Sequence, residues 1–215
     1  MLLAIDTATA RASIALHDGT TLRSEYTWEA ANRHTVTLAA RVEQMLAASE
    51  VAPADLTALA ACIGPGSYTG VRIGVAFAKG MAAARGLPVA GVTTLDILAA
   101  AQPPDARPLY AVFQAGRKRV GYARYRYQED RWQVEGDVAI ATWDELAEQL
   151  AEPALLVGEV DTAGHAALQA RRKLLTFPPP AWHLRRAGFL ADLGVERLRA
   201  GQTADALTLT PIYVH

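Results

Sequence analysis

Hydrophobic and polar positions along the chain change period several times, and each change marks an element. Leu2–Thr7 is a short apolar run of strand type, Ala12–His17 is a second, and Asp18-Gly19 signals a hairpin turn into a third over Thr20–Trp28. The polar stretch Glu29–Arg33 opens a helix predicted to run to Ser49. In it Leu38, Val42, Met45 and Leu46 recur at i, i+4, i+7 and i+8, the spacing of one helical face. Pro53-Ala54-Asp55 reads as a turn and Ala58–Ile63 as a buried strand. A glycine-rich loop, Gly64–Gly70, leads into a helix over Val71–Arg85, which Gly86 and Pro88 stop. Val89–Val92 is a strand, and Thr93 or Thr94 caps a short helix ending at Ala101.

Three prolines within Gln102–Pro108 mark a linker, after which the order restarts. Leu109–Phe113, Arg119–Tyr127 and Arg131–Val138 read as strands. Thr142-Trp143-Asp144-Glu145 has the form of a capping box that starts a helix to Leu150. A strand over Ala154–Val157, a helix over Ala163–Ala170 and a strand-like Lys173–Phe177 precede the break at Pro178–Pro180. A last helix is predicted over Leu184–Ala200, with Gly201 as its stop. Both halves, 1–101 and 109–215, therefore read βββαβαβα. A meander followed by alternating helices and strands gives a mixed sheet with helices on its faces. Two tandem copies point to an α/β class, the duplicated ribonuclease-H-like (ASKHA) fold of actin, Hsp70 and sugar kinases.

Composition narrows the function classes. With 21 Lys and Arg against 22 Asp and Glu, the net charge is -1. That balance argues against a broad nucleic-acid grip by this chain alone, which needs a surplus of cations, but leaves a local basic patch open. Cys62 is the single cysteine, so neither an intrachain disulfide nor a multi-Cys metal site is expected. No signal-peptide pattern follows Met1, and the apolar stretch Val71–Ala84 contains Arg72 and Lys79 and falls short of the ~20 residues of a membrane span. The expectation is a cytoplasmic protein with no membrane contact.

The sharpest local signal is Gly64-Pro65-Gly66-Ser67-Tyr68-Thr69-Gly70-Val71-Arg72-Ile73-Gly74, joining a strand to a helix. Exposed backbone N–H groups at a helix start suit an anion, but a tight structural turn, with Ser67 or Thr69 capping the next helix, is the favoured reading of the same residues. It is not a P-loop, because no Lys follows Gly70, and Thr69 stands where a dinucleotide fingerprint has its third glycine. Nor is Ser67 in a Gly-x-Ser-x-Gly elbow. Of His17, His34, His165, His183 and His215, no two stand four apart, so no metal is expected; His34, at a helix start, is read as a surface or interface residue.

This motif closely resembles the signature of the TsaB (YeaZ-type) family. Ala4-Ile5-Asp6-Thr7-Ala8-Thr9 is similar to the family's opening strand, and Ala78-Lys79-Gly80, Gly91-Val92-Thr93-Thr94-Leu95 and Pro211-Ile212-Tyr213-Val214 extend the match. The resemblance implies an actin-like fold that has lost most of its nucleotide chemistry. It implies a scaffold that binds the catalytic subunit TsaD, which transfers threonylcarbamoyl to adenosine 37 of tRNAs, with the ATPase TsaE joining the assembly. No catalytic residue and no cofactor of its own are expected, contact with tRNA is indirect or weak, and the isolated chain is expected to form homodimers. The signature loop comprises Gly64, Gly66, Ser67, Thr69, Gly70 and Arg72.

Docking is implied through the two helices of the first half, with Leu38, Val42, Met45, Leu46, Ala76 and Gly80 as candidate contacts. Asp6, Thr7 and Thr9 read as a relic phosphate hairpin at most, because kinases of this fold place a glycine in that turn and this chain has none; the favoured reading is that Asp6 and Thr7 satisfy a strand end. Gln114 stands where related chains carry an aspartate. A free-standing kinase of the same fold is the alternative. The cluster Arg117, Lys118, Arg119, Arg124 and Arg126, interleaved with Tyr122, Tyr125 and Tyr127, reads either as an RNA contact or as a solvated strand surface.

Overall fold

The computed structural model describes residues 1–30, 33–204 and 208–214. It contains two five-stranded mixed sheets, each in a unit of its own. The helix opening at Glu29–Arg33 includes residues 31–32, and His215 ends the chain; these lie outside the described residues.

In the first unit β1 (Leu2–Asp6), β2 (Arg11–His17) and β3 (Leu22–Glu29) form the meander. Helix α1 (His34–Ala48), β4 (Ala58–Cys62), α2 (Tyr68–Arg85) and β5 (Val89–Val92) follow, with α3 (Thr94–Ala100) after them. The strand order is β3-β2-β1-β4-β5, with β1 antiparallel to β2 and parallel to β4. Every residue of β1 and β4 is buried, which is why both read as continuous apolar runs: helices cover both faces of the sheet. Ser67 caps α2 by accepting the Gly70 N–H at 3.2 Å, and Gly86 ends it with φ of 65°.

The second unit repeats the order with β6 (Leu109–Gly116), β7 (Arg119–Gln128), β8 (Arg131–Ala141), α4 (Trp143–Gln149), β9 (Ala154–Gly158), α5 (Thr162–Ala167) and the two-residue β10 (Leu175–Thr176). Its strand order is β10-β9-β6-β7-β8. The capping box that starts α4 is formed: the Glu145 N–H donates to the Thr142 hydroxyl and the Thr142 N–H donates to the Glu145 carboxylate.

The units do not follow the chain halves. The first comprises Met1–Ile97 and Arg186–Tyr213; the second comprises Leu98–Arg185 and Val214–His215. The last helix, α6 (Ala187–Arg199), was expected with the second half but packs on the first sheet. Its small face does this: a Cβ added at Gly194 would collide with Ala60, on the sheet face that also carries Leu2, whereas Gly74 of α2 meets Ile5 and Thr7 on the opposite face. Polar contacts then fix α6 in place. Glu25 of β3 accepts the Gly188 N–H at 2.8 Å and pairs with Arg186, putting a carboxylate at the positive end of the helix. His17 meets Asp192 at 3.2 Å, and Arg197 meets Asp96 at 3.1 Å. The expected linker 102–108 belongs to the second unit. Gln102 is buried and donates to the carbonyls of Leu98 and Trp182, and Arg107 reaches Thr176.

Candidate functional site

The signature loop and the β1–β2 hairpin form one packed structure. The Asp6 carboxylate accepts the Ala8 N–H at 2.8 Å, two residues on. The Ser67 N–H donates to the Ala8 carbonyl at 2.7 Å, and the Thr7 hydroxyl donates to the Gly70 carbonyl at 2.7 Å. Asp6, Thr7 and Ala8 are each at most 1 % exposed. Side chains have no room here: a Cβ on Gly66 would fall under 3.0 Å from the Ala8 carbonyl, and one on Gly70 equally close to that of Thr7. The loop glycines thus permit close backbone approach. The N–H groups of Ser67, Gly70 and Val71 all have protein partners. Between the two readings of the motif, the geometry favours the structural turn over the anion cradle. Asp6, Thr7 and Thr9 are all buried, and Thr7 lies against the loop through Gly70, where a nucleotide phosphate would have to displace it. Lys79 donates to the Leu209 carbonyl at 3.0 Å.

His34 is buried, correcting the expected surface position. Burial holds its imidazole below the usual histidine range, against the opposing pull of the Thr9 backbone and the Asp6 carboxylate.

The candidate docking residues separate into two groups. Leu38, Val42, Met45 and Leu46 are at most 5 % exposed and belong to the first unit's core, because the apolar stripe of α1 is the face that covers the sheet. They are not surface. Ala76 and Gly80 are exposed on α2, and the solvent side of α1 presents Val36 (69 % exposed), Ala40, Glu43 and Ala47. Thr69 and Arg72 are exposed too. The Arg72 guanidinium lies 4.9 Å from the centre of the Tyr68 ring, and that ring is 5.1 Å from Tyr213. This aromatic group was missed; its signal was Tyr68 within the motif and Tyr213 in the similar C-terminal ending.

In the second unit Gln114 donates its backbone N–H to the Glu159 carboxylate at 3.1 Å and its amide to the Glu159 carbonyl at 3.0 Å; Arg185 approaches the same carboxylate at 3.7 Å. A carboxylate therefore does sit beside Gln114, supplied by a residue far along the chain, and held by a cation. Among the described residues no group of three His, Cys, Asp or Glu is placed to hold a metal ion, and no helix is long and apolar enough to cross a membrane. The basic cluster divides as well. Arg124 and Arg126 pair with Glu135 and Glu152, Tyr122 and Tyr125 are buried, and Tyr127 meets Trp132 edge-on at 5.5 Å.

Two sheets of order 3-2-1-4-5 type, each built from a βββαβαβ succession and the first with a closed hairpin, define a duplicated actin-like fold. The fold matches component A of the (R)-2-hydroxyglutaryl-CoA dehydratase of Acidaminococcus fermentans with a TM-score of 0.53 at 11% identity, over 92% of this chain and 98% of that one. YeaZ from Pseudomonas aeruginosa superposes with a TM-score of 0.79 at 27% identity, over 98% of this chain and 99% of that one. In sequence, the chain is 32% identical over 220 residues to the tRNA threonylcarbamoyladenosine biosynthesis protein TsaB of Bacillus subtilis, covering 99% of this chain and 93% of the relative. The family profile described as "TsaD: tRNA N6-adenosine threonylcarbamoyltransferase" matches residues 28–192. The chain belongs to the TsaB (YeaZ) family.

Proposed function

We propose that the chain is the non-catalytic partner subunit in the formation of N6-threonylcarbamoyladenosine in tRNA. It binds TsaD, which performs the transfer, and works with TsaE in the larger assembly. The observation that carries this reading is the sealed β1–β2 hairpin. The Ser67 N–H occupies the Ala8 carbonyl, Thr7 is tied to Gly70, and Asp6 is spent on its own turn. A kinase of this fold needs that hairpin open to phosphate and its carboxylate open to a metal ion, so the free-standing kinase reading finds no support here.

What the chain offers a partner is a surface. The outer face of α1 presents Val36, Ala40, Glu43 and Ala47, and that of α2 presents Ala76 and Gly80, small side chains among them on which another helix can approach closely. Homodimers of the isolated chain through this face, in competition with TsaD, follow from the same exposure. Co-purification with the TsaD of the same organism tests the reading. A stable complex lost on Ala76→Arg or Gly80→Arg, both outward-facing, is the expected result; no complex with the native chain counts against it.

A further inference from the structure

The connection between β6 and β7 is a two-residue turn, Arg117-Lys118, in which φ is 51° and 62°. Positive φ at both central residues is the type I′ geometry of tight hairpins, which Asn-Gly adopts with least strain. Here the turn carries two cations, and Arg119 opens β7 directly after them; all three are exposed. Among the described residues none of the three makes an ion pair, whereas Arg124 and Arg126, further along the strand, share Glu135 and Glu152.

The turn at the other end of β7, Glu129-Asp130, has the same geometry, with φ of 51° and 59°. Backbone conformation therefore does not single out Arg117-Lys118; charge does. The 10-residue strand β7 runs from a cationic tip to an anionic one, about 33 Å away at ~3.3 Å per residue, and the arginines between are neutralised. The residues flanking the basic tip are Gly116 and the buried Val120, so it offers charge without the apolar anchor that a peptide partner needs. Guanidinium groups match phosphate oxygens in geometry as well as sign.

We propose that the Arg117–Arg119 tip is a phosphate-contact element for RNA. This rests on the reading that the chain serves tRNA modification. The test is the affinity of the TsaD complex for labelled tRNA across ~50–200 mM salt, with the double variant Arg117→Asn, Lys118→Gly. Asn-Gly is the favoured pair for this turn, so the fold is retained, as an unchanged melting temperature will verify. Two lost phosphate contacts are expected to weaken binding roughly tenfold and to make the log–log salt slope shallower by about 2. Arg131→Gln, removing an exposed cation beside the acidic tip, leaves both unchanged. A complex that assembles yet binds tRNA with native affinity and slope in the double variant overturns the proposal alone. Equal competition by polyglutamate would assign the tip to an acidic protein and also overturn it. The same titration on the isolated chain separates the two readings: binding through the tip by a chain that never joins TsaD sinks the partner-subunit reading but leaves this one standing.

Discussion

One substitution made at two places on α2 is expected to act in opposite directions. Gly→Ala in a helix interior gains up to ~1 kcal/mol from the reduced backbone entropy of the unfolded chain. At Gly80 an added Cβ meets nothing within 4 Å, so that gain is realised in full. At Gly70 the same atom lands under 3.0 Å from the Thr7 carbonyl oxygen, a backbone atom held in the sheet. Relieving the overlap means parting the loop from the hairpin, an overpacking cost of ~1–3 kcal/mol. The buried bonds from Thr7 to Gly70 and from Ser67 to Ala8 then lengthen, at ~0.5–1.5 kcal/mol each. The net loss is about 1–5 kcal/mol. At ~2–4 °C per kcal/mol for a chain of this size, Gly70→Ala melts roughly 2–20 °C below the native protein and Gly80→Ala up to ~4 °C above it. Thermal unfolding followed by circular dichroism reads both. Equal shifts of the same sign would show that the loop is not packed against the hairpin.

Met45→Arg places a charge at a position with 0% exposure and is expected to unfold the first unit, while Ala76→Arg melts normally and fails to bind TsaD in a pull-down; a Met45→Arg protein of native stability would return that residue to the surface. Asp6→Asn keeps the acceptor for the Ala8 N–H and removes the charge, so tRNA modification in the reconstituted system is expected to stay within about threefold of native, and a hundredfold loss with the fold intact would make Asp6 catalytic. The Asp18 carboxyl, held at about 2 by the Thr20 and Thr21 N–H groups, binds its proton more weakly folded than unfolded. Its contribution is therefore fully present above pH ~4 and lost as pH falls through about 2. The stability gap between the native protein and Asp18→Ala should accordingly close over that window, and a gap constant with pH would contradict the assignment.

The order of elements was legible because each signal is local: the Asp18-Gly19 turn, the capping box at Thr142, the Gly86 stop. Where α6 would lie was not, because an amphipathic helix shows that it covers a sheet without showing which one; that choice rests on Gly188 and Gly194 fitting between distant partners, Glu25 and Ala60. The same limit explains Leu38, Val42, Met45 and Leu46. Periodicity identifies an apolar face, and on a helix over a sheet that face is spent on the core, leaving Ala76 and Gly80 as the outward candidates. In the basic cluster, sequence neighbours were sorted by residues remote from them, Glu135 and Glu152, which neutralise Arg124 and Arg126 and leave the Arg117–Arg119 tip unpaired.

This chain supports catalysis performed by another subunit, and the decisive assay is threonylcarbamoyl transfer to tRNA with TsaD and TsaE present and this chain titrated from zero. No product is expected from this chain alone, little from TsaD and TsaE without it, and full activity as the chain reaches equimolar ratio with TsaD. Product formed by the chain without TsaD, or a TsaD equally active in its absence, would show that the chain is not a supporting subunit.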